Sequence, residues 1–366
     1  MFKRWLATVM MTGMALHAMG QVTKAAFGKM PDGQGVDVYT LKSPQVEAKV
    51  MTYGAKLISI KTADRTGKVA DVMLGFDTLP EWLKDKTYNG AVVGRYGNRI
   101  ALGQFKIDGQ TYQVPTNDGP NALHGGPVGF DKKLWTAKQV PNGVELTLIS
   151  PDGDMGFPGK LTAQVTYTLK GSALRIDYRM TTDKATVVNL TNHTYFNLTG
   201  GTEDVLGHQI RINADHYTPT SKTLIPTGNM DVVEGTPMDF RTAHAIGERI
   251  GANFEQLTFA GGYDHNWILN GPNGVMKLAA EVVEPKSGRT LTVTTTEPGV
   301  QFYSGNFLDG SLTGRGGVKY SKRMGLCLET QHYPDSPNKP GFPTTLLKPG
   351  EVRTSSTVFT FGVATK

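Results

Sequence analysis

The chain has a single cysteine, Cys327, few stretches with a helical period, and after its first twenty residues no apolar run of membrane length. One cysteine excludes an intramolecular disulfide. It lies between Leu326 and Leu328, where a small buried hydrophobe is expected rather than a thiol nucleophile. An excess of one sign of charge is also small. The formal charge of +6 falls to +4 without Lys3 and Arg4, and the basic residues are scattered, so nothing tracks a phosphate backbone and nucleic acid is not an expected partner. There is no G-x-x-x-x-G-K-[ST] phosphate loop, no G-x-G-x-x-G between a strand and a helix, no G-x-S-x-G elbow and no H-E-x-x-H. His124, His193 and His332 show no ligand-type spacing, so no metal is expected.

The first twenty residues read as a leader. Lys3 and Arg4 precede an apolar stretch from Trp5 to Ala18 too short to span a bilayer, and Ala18-Met19-Gly20 puts small residues where a signal peptidase reads. Residues 1–20 are therefore expected to be a signal peptide, residues 21–366 one exported domain in the periplasm or outside the cell, and no membrane anchor is expected. Without a cross-link that domain depends on a large core, which its 346 residues can bury.

What is present is the two-residue period of strands. Leu161, Ala163, Val165, Tyr167 and Leu169 alternate with Thr and Gln; after Lys170-Gly171-Ser172 the period resumes as Leu174, Ile176, Tyr178 and Met180. That reads as a hairpin. Residues 45–60, 143–149, 277–283, 290–296 and 354–363 read similarly, while helical signals are confined to 79–86 and 243–251. With Gly or Pro every ten to fifteen residues and no linker or repeat, the expected fold class is all-β, a large antiparallel β-sandwich with few short helices.

One segment stands out. In Asn189-Leu-Thr-Asn-His-Thr-Tyr-Phe-Asn197 a strand period would place Asn189, Thr191, His193, Tyr195 and Asn197 on one face. Amides, hydroxyls and one imidazole suit an uncharged, hydroxyl-rich ligand such as a sugar. Four turn-like places add to it: Gly94-Arg-Tyr-Gly-Asn-Arg99 with Asn98 and Arg99, Leu123-His-Gly-Gly126 with His124, Gly262-Tyr-Asp-His-Asn-Trp267 with Asp264, and Leu328-Glu-Thr-Gln-His-Tyr-Pro-Asp335 with Glu329. Singly each has a structural explanation. Together they are the inventory of a carbohydrate site with acid–base capability.

These segments, with Pro298-Gly-Val-Gln-Phe-Tyr303, resemble the aldose 1-epimerase (galactose mutarotase) family in order and over nearly the whole chain. The resemblance implies that family's β-supersandwich with a sugar cleft on one face, and an activity that interconverts the α and β anomers of free aldohexoses such as galactose and glucose. It implies Glu329 as general base at the anomeric hydroxyl, His193 as general acid at the ring oxygen, and His124 as a second histidine near that oxygen. It implies Asn98, Arg99, His124, His193, Asp264 and Gln301 as substrate ligands, with Tyr195 on the cleft wall. No cofactor is implied, since opening a hemiacetal needs only proton transfers. The partner is a small aldose, and the protein is expected as a monomer or homodimer. The competing readings are a glycoside hydrolase using Asp264 with Glu329 and a sugar-binding module without catalysis.

Overall fold

A computed structural model describes residues 21–364; the expected leader lies outside the described residues. Alternation dictates the largest sheet. The strands Leu161–Lys170 and Ala173–Thr182 form an antiparallel hairpin in which Val165 faces Tyr178 and Tyr167 faces Ile176, and the apolar residues of both strands are buried while Thr, Gln and Arg point outward. Nine antiparallel strands build this sheet, in the order Thr136–Val140, Gly143–Ser150, Leu161–Lys170, Ala173–Thr182, Arg353–Val363, Arg289–Thr295, Lys277–Val283, Gln209–Ile212, His244–Ala245. The chain's last strand thus sits at the centre.

Two five-stranded sheets pack with it. One is a meander from Gln21–Lys29 to Val69–Asp71; the other runs Asp231–Val232, His216–Thr218, Asp264–Ile268, Gly299–Tyr303, Cys327–Gln331. A continuous apolar core takes side chains from all three, among them Leu41, Leu57, Val165, Tyr178, Val293, Trp267, Phe302 and Phe359. At roughly 1.5–3 kcal/mol for each large apolar side chain buried, such a core can replace the missing disulfide.

Helices are short, as the sequence predicts. Leu79–Lys84 opens with a reciprocal cap in which the Thr78 amide donates to Glu81 Oε2 at 2.9 Å, and it buries Trp82. The expected helix over 243–251 shrinks to Ile246–Arg249, and Glu255–Ala260 is a helix the periodicity did not indicate. Residues 45–60 are two strands, Val46–Met51 and Leu57–Ala63, because the chain turns at Gly54 and Ala55, both at positive φ.

The segment 189–197 departs most from expectation. Only Thr191–Asn192 is a strand, paired with Val92–Val93. The backbone changes partner almost every residue: His193 N–H donates to Ala91, Phe196 exchanges hydrogen bonds with Leu326, and Asn197 N–H donates to Val72. No open face survives. Asn189 clamps two loops, its Nδ2 donating to the carbonyls of Gly97 and His332 and its Oδ1 accepting from the His332 amide. Asn197 Nδ2 donates to the carbonyls of Glu203 and Met324, each at 2.7 Å. Of the five residues read as one ligand-facing row, only His193 and Tyr195 reach a cleft.

Candidate active site

Glycines bring the scattered segments together. At Gly94 a Cβ would meet Leu190 at 2.5 Å and Phe130 at 2.6 Å, and at Gly125 (φ +88°) it would meet the Gly94 carbonyl oxygen at 2.1 Å. Only bare backbones can cross there. The crossing lays His124 on Asn98. The His124 amide donates to the Asn98 carbonyl and the Asn98 amide donates to His124 Nδ1, both at 3.0 Å. Asn98, His124 and the nearby Tyr88 all hold positive φ, at 64°, 52° and 62°. Such conformations carry about 1–3 kcal/mol each and persist where the surroundings impose them, commonly at functional sites.

Over this crossing opens a cleft of about 680 Å³. Its lining includes Asn98, Arg99, His124, His193, Tyr195, Asp264 and Glu329, so seven of the eight residues expected to form the site share one cavity. The eighth, Gln301, adjoins the lining at Asp264. Gln301 is buried behind Asp264, donating from Nε2 to Asp264 Oδ1 at 2.8 Å, and it does not line the cleft.

At the floor His193 Nε2 lies 3.6 Å from Glu329 Oε1, both side chains almost fully buried. On the other edge of the ring, Nδ1 lies 3.6 Å from Cys327 Sγ. The cysteine is buried, as its apolar neighbours suggested, and it also seats the imidazole. Burial foremost pushes Glu329 well above the ordinary carboxylate range, with Asp264 adding to the rise and Arg99 opposing it. Burial pushes His193 down to about 4 and His124 well below its ordinary value, the latter also repelled by His193 and Arg99. The Cys327 thiol is pushed up by burial and so stays protonated.

Arg99 bridges two acids, donating from Nε to Asp118 at 2.7 Å and standing 3.8 Å from Asp264 with Nη1. Asp264 is raised by burial and lowered by Arg99 and Gln301. These groups present one fixed cation and carboxylate oxygens to a polar ligand. The aromatic wall was largely invisible in the sequence: Tyr88 packs 4.6 Å from the His124 ring, and Phe307, 61% exposed, stacks on Tyr303 at 5.9 Å and 24°. Tyr303 ended a segment that carries the resemblance, but nothing local distinguishes Tyr88 or Phe307.

His332, the third histidine considered, pairs with Glu297 at 2.6 Å outside the cleft. Potential ligand atoms of His124, His193 and Glu329 lie within 4.8 Å of one another. They suit a metal badly. Because His124 Nδ1 accepts a backbone N–H, the neutral ring carries its hydrogen on Nε2 and faces the cleft as a donor, leaving no lone pair there for an ion.

An all-β scaffold with a cleft pairing a buried carboxyl with a buried imidazole, walled by aromatics and hydrogen-bonding groups, defines a carbohydrate-active acid–base enzyme. The comparisons narrow the class. A family model described as aldose 1-epimerase matches residues 37–360. Galactose mutarotase of Bos taurus is 46% identical over 348 residues, 94% of this chain and all of that protein, and aldose 1-epimerase of Escherichia coli strain K12 is 41% identical over 337 residues, 90% and 96% of the two chains. Among solved structures, galactose 1-epimerase of Lactobacillus acidophilus NCFM superposes with a TM-score of 0.82 at 29% identity, covering 94% of this chain and all of that one. An aldose epimerase homologue from C. elegans gives the same TM-score at 31% identity, over 88% and 97%. The chain belongs to the aldose 1-epimerase family.

Proposed function

We propose that the protein is an aldose 1-epimerase that interconverts the α and β anomers of free aldohexoses such as galactose and glucose, with Glu329 and His193 as its proton-transfer pair. The observation that carries the assignment of roles is the 3.6 Å approach of His193 Nε2 to Glu329 Oε1 at the cleft floor. Glu329 takes the proton of the anomeric hydroxyl while His193 delivers one to the ring oxygen. The C1–O5 bond breaks and C1 becomes an aldehyde carbonyl. Rotation about C1–C2 presents the other carbonyl face, O5 attacks it, and both proton transfers reverse. No net proton is gained or lost.

The directions of the pKa shifts support these roles. Burial disfavours charge on both partners, so a carboxylate at Glu329 is an avid base and an imidazolium at His193 a ready acid. The same directions rest the pair's one proton on Glu329, so it passes to His193 before the step begins, and ring opening returns it. His124, with hydrogen on Nε2, is suited to donate a hydrogen bond to the ring oxygen. Arg99, Asp264 and Asn98 offer the donors and acceptors that hold sugar hydroxyls.

Polarimetry of freshly dissolved β-galactose or β-glucose tests the proposal. The wild-type protein is expected to hasten relaxation to the anomeric equilibrium. Glu329→Gln and His193→Asn are each expected to lower kcat by about 10²–10⁴-fold, the usual contribution of one positioned acid or base. Undiminished kcat in either variant removes that residue from the pair.

A further inference from the structure

We propose that Tyr88 is a further substrate-binding residue, whose phenolic O–H is held free to donate a hydrogen bond to one hydroxyl of the bound sugar. The inference rests on the cleft being an aldose site, and it adds to that site a contact that helps determine which aldose it takes.

The backbone sets the direction. Tyr88 has φ +62°, a left-handed conformation that a bulky residue rarely adopts. Asp85 imposes it, accepting from the amides of Thr87 and Asn89 at 2.8 and 3.1 Å and so fixing the neighbour on each side. The result is a tyrosine in the cleft lining, its ring edge-on to the His124 ring at 4.6 Å and 6.0 Å from that of His193. Packing against the two histidines accounts for the ring. It does not account for the oxygen.

Among the described residues that oxygen has one hydrogen-bond partner, Asn117, and the other bonds of Asn117 settle which of the two donates. Asn117 Oδ1 accepts from the Leu123 amide at 2.7 Å, while Nδ2 donates to the Leu123 carbonyl at 3.0 Å. Turning the amide over would set oxygen against carbonyl and N–H against N–H. Nδ2 therefore faces Tyr88, 3.3 Å from its oxygen, and an amide nitrogen only donates. Tyr88 accepts there with a lone pair, which leaves its own hydrogen unspent. Burial foremost, then Asp131 and Asp118, pushes the phenol up to about 12, so it keeps that hydrogen at neutral pH. A partly buried donor without an acceptor is costly, and a ligand rich in hydroxyls supplies the acceptor. Arg99 brings charge to the same cleft; Tyr88 brings a neutral donor beside His124.

Two variants of the full chain test this. Tyr88→Phe removes the oxygen and keeps the ring. Asn117→Asp keeps the phenol and reverses the bond, because a carboxylate accepts the hydrogen that the cleft would otherwise receive. After thermal melts show both folded, each is assayed by polarimetry with galactose and with its monodeoxy forms. KM for galactose is expected to rise about two- to tenfold in each variant with kcat within about twofold of wild type, as when a hydrogen bond is made equally in the ground and transition states. The double variant is expected to be no worse than the poorer single one, since both changes spend the same hydrogen. For the monodeoxygalactose that lacks the accepting hydroxyl, the penalty is expected to vanish. An unchanged KM in Tyr88→Phe overturns the proposal; so does a penalty of equal size for every deoxy sugar, the mark of a displaced wall rather than a lost contact. Should Tyr88→Phe fail to fold, Asn117→Asp is read against the same sugars, and an unchanged KM there overturns the proposal equally. A wild-type protein without epimerase activity overturns the function and this inference together, whereas an active wild type matched by Tyr88→Phe overturns this inference alone.

Discussion

At the scale of single residues, the site holds its reactive groups in states that folding disfavours. Glu329 has a raised pKa, so in the ordinary carboxylate range the folded protein binds a proton there more tightly than the unfolded chain does. The sign follows: the group's contribution to stability is fully present below the unfolded glutamate value near 4.3 and is lost as pH rises through the folded value. Glu329→Gln removes the ionisation while preserving the shape of the protonated acid. Its melting temperature is expected to exceed that of the wild type at pH 8, and the gap to close below about pH 4, where both side chains are neutral. Scanning calorimetry at the two pH values checks this, and a variant less stable at pH 8 contradicts it. Residue types placed Glu329 and His193 among the candidates because acid–base chemistry draws on a short list of side chains, and the family resemblance gave them their roles. They could not show that Cys327 seats His193, or that Gln301 lies behind Asp264, since both relations arise only when strands from distant parts of the chain come into register.

At the scale of elements, legibility tracked regularity. The hairpin Leu161–Lys170 and Ala173–Thr182 was plain because one partner on each side and one buried face impose strict alternation. The segment 189–197 was misread as a regular strand because its side chains satisfy several neighbours in turn, which leaves polar residues in a period of two without an open face. The loop after helix Leu79–Lys84 is a third kind of element, fixed by buried charge. Lys56 and Asp85 lie 3.9 Å apart with side chains 2% and 0% exposed, and Lys56 Nζ sits over the rings of Tyr53 and Trp82. Asp85 also accepts from the Thr87 amide and hydroxyl and from the Asn89 amide, bracketing Tyr88 in the cleft wall. Asp85→Asn removes the carboxylate 3.9 Å from the buried ammonium, leaving the Coulomb attraction of Asp131 and the faces of Tyr53 and Trp82. Breaking such a pair typically destabilises by about 3–5 kcal/mol, so a marked fall in melting temperature is expected. With Tyr88 released, KM for galactose is expected to rise more than kcat falls. Thermal melts with steady-state polarimetry check both, and an unaltered melting temperature would show that Asp131 and the two rings suffice.

At the scale of the whole molecule, the order of the chain and the order of the sheet conflict, with consequences for the two ends. The first described strand, Gln21–Lys29, is the outer strand of its sheet, pairs only with Gly35–Lys42, and is mostly exposed. The last, Arg353–Val363, lies in the middle of the nine-stranded sheet, pairing with Ala173–Thr182 on one side and Arg289–Thr295 on the other. Its Phe359 and Phe361 are buried against Phe196, whose neighbours lead to the His193 segment. Burial of two such rings is worth on the order of 3–6 kcal/mol, comparable to the entire net stability of many domains. Removing the strand would also expose backbone donors and acceptors on both flanking strands at once. Deletion of residues 353–366 is therefore expected to yield a chain without the β-sheet circular dichroism of the intact protein and without epimerase activity. A chain beginning at Gly35 loses one edge pairing and the packing of Phe27 and Met30, and is expected to fold, with a lower melting temperature and kcat within about threefold of wild type, since no residue of the removed segment lines the cleft and exposed edges tolerate change. The asymmetry is the content of the prediction. Circular dichroism and polarimetry on the two truncations decide it, and a folded, active chain ending before Arg353 would mean that the two halves of the large sheet do not need the strand that joins them.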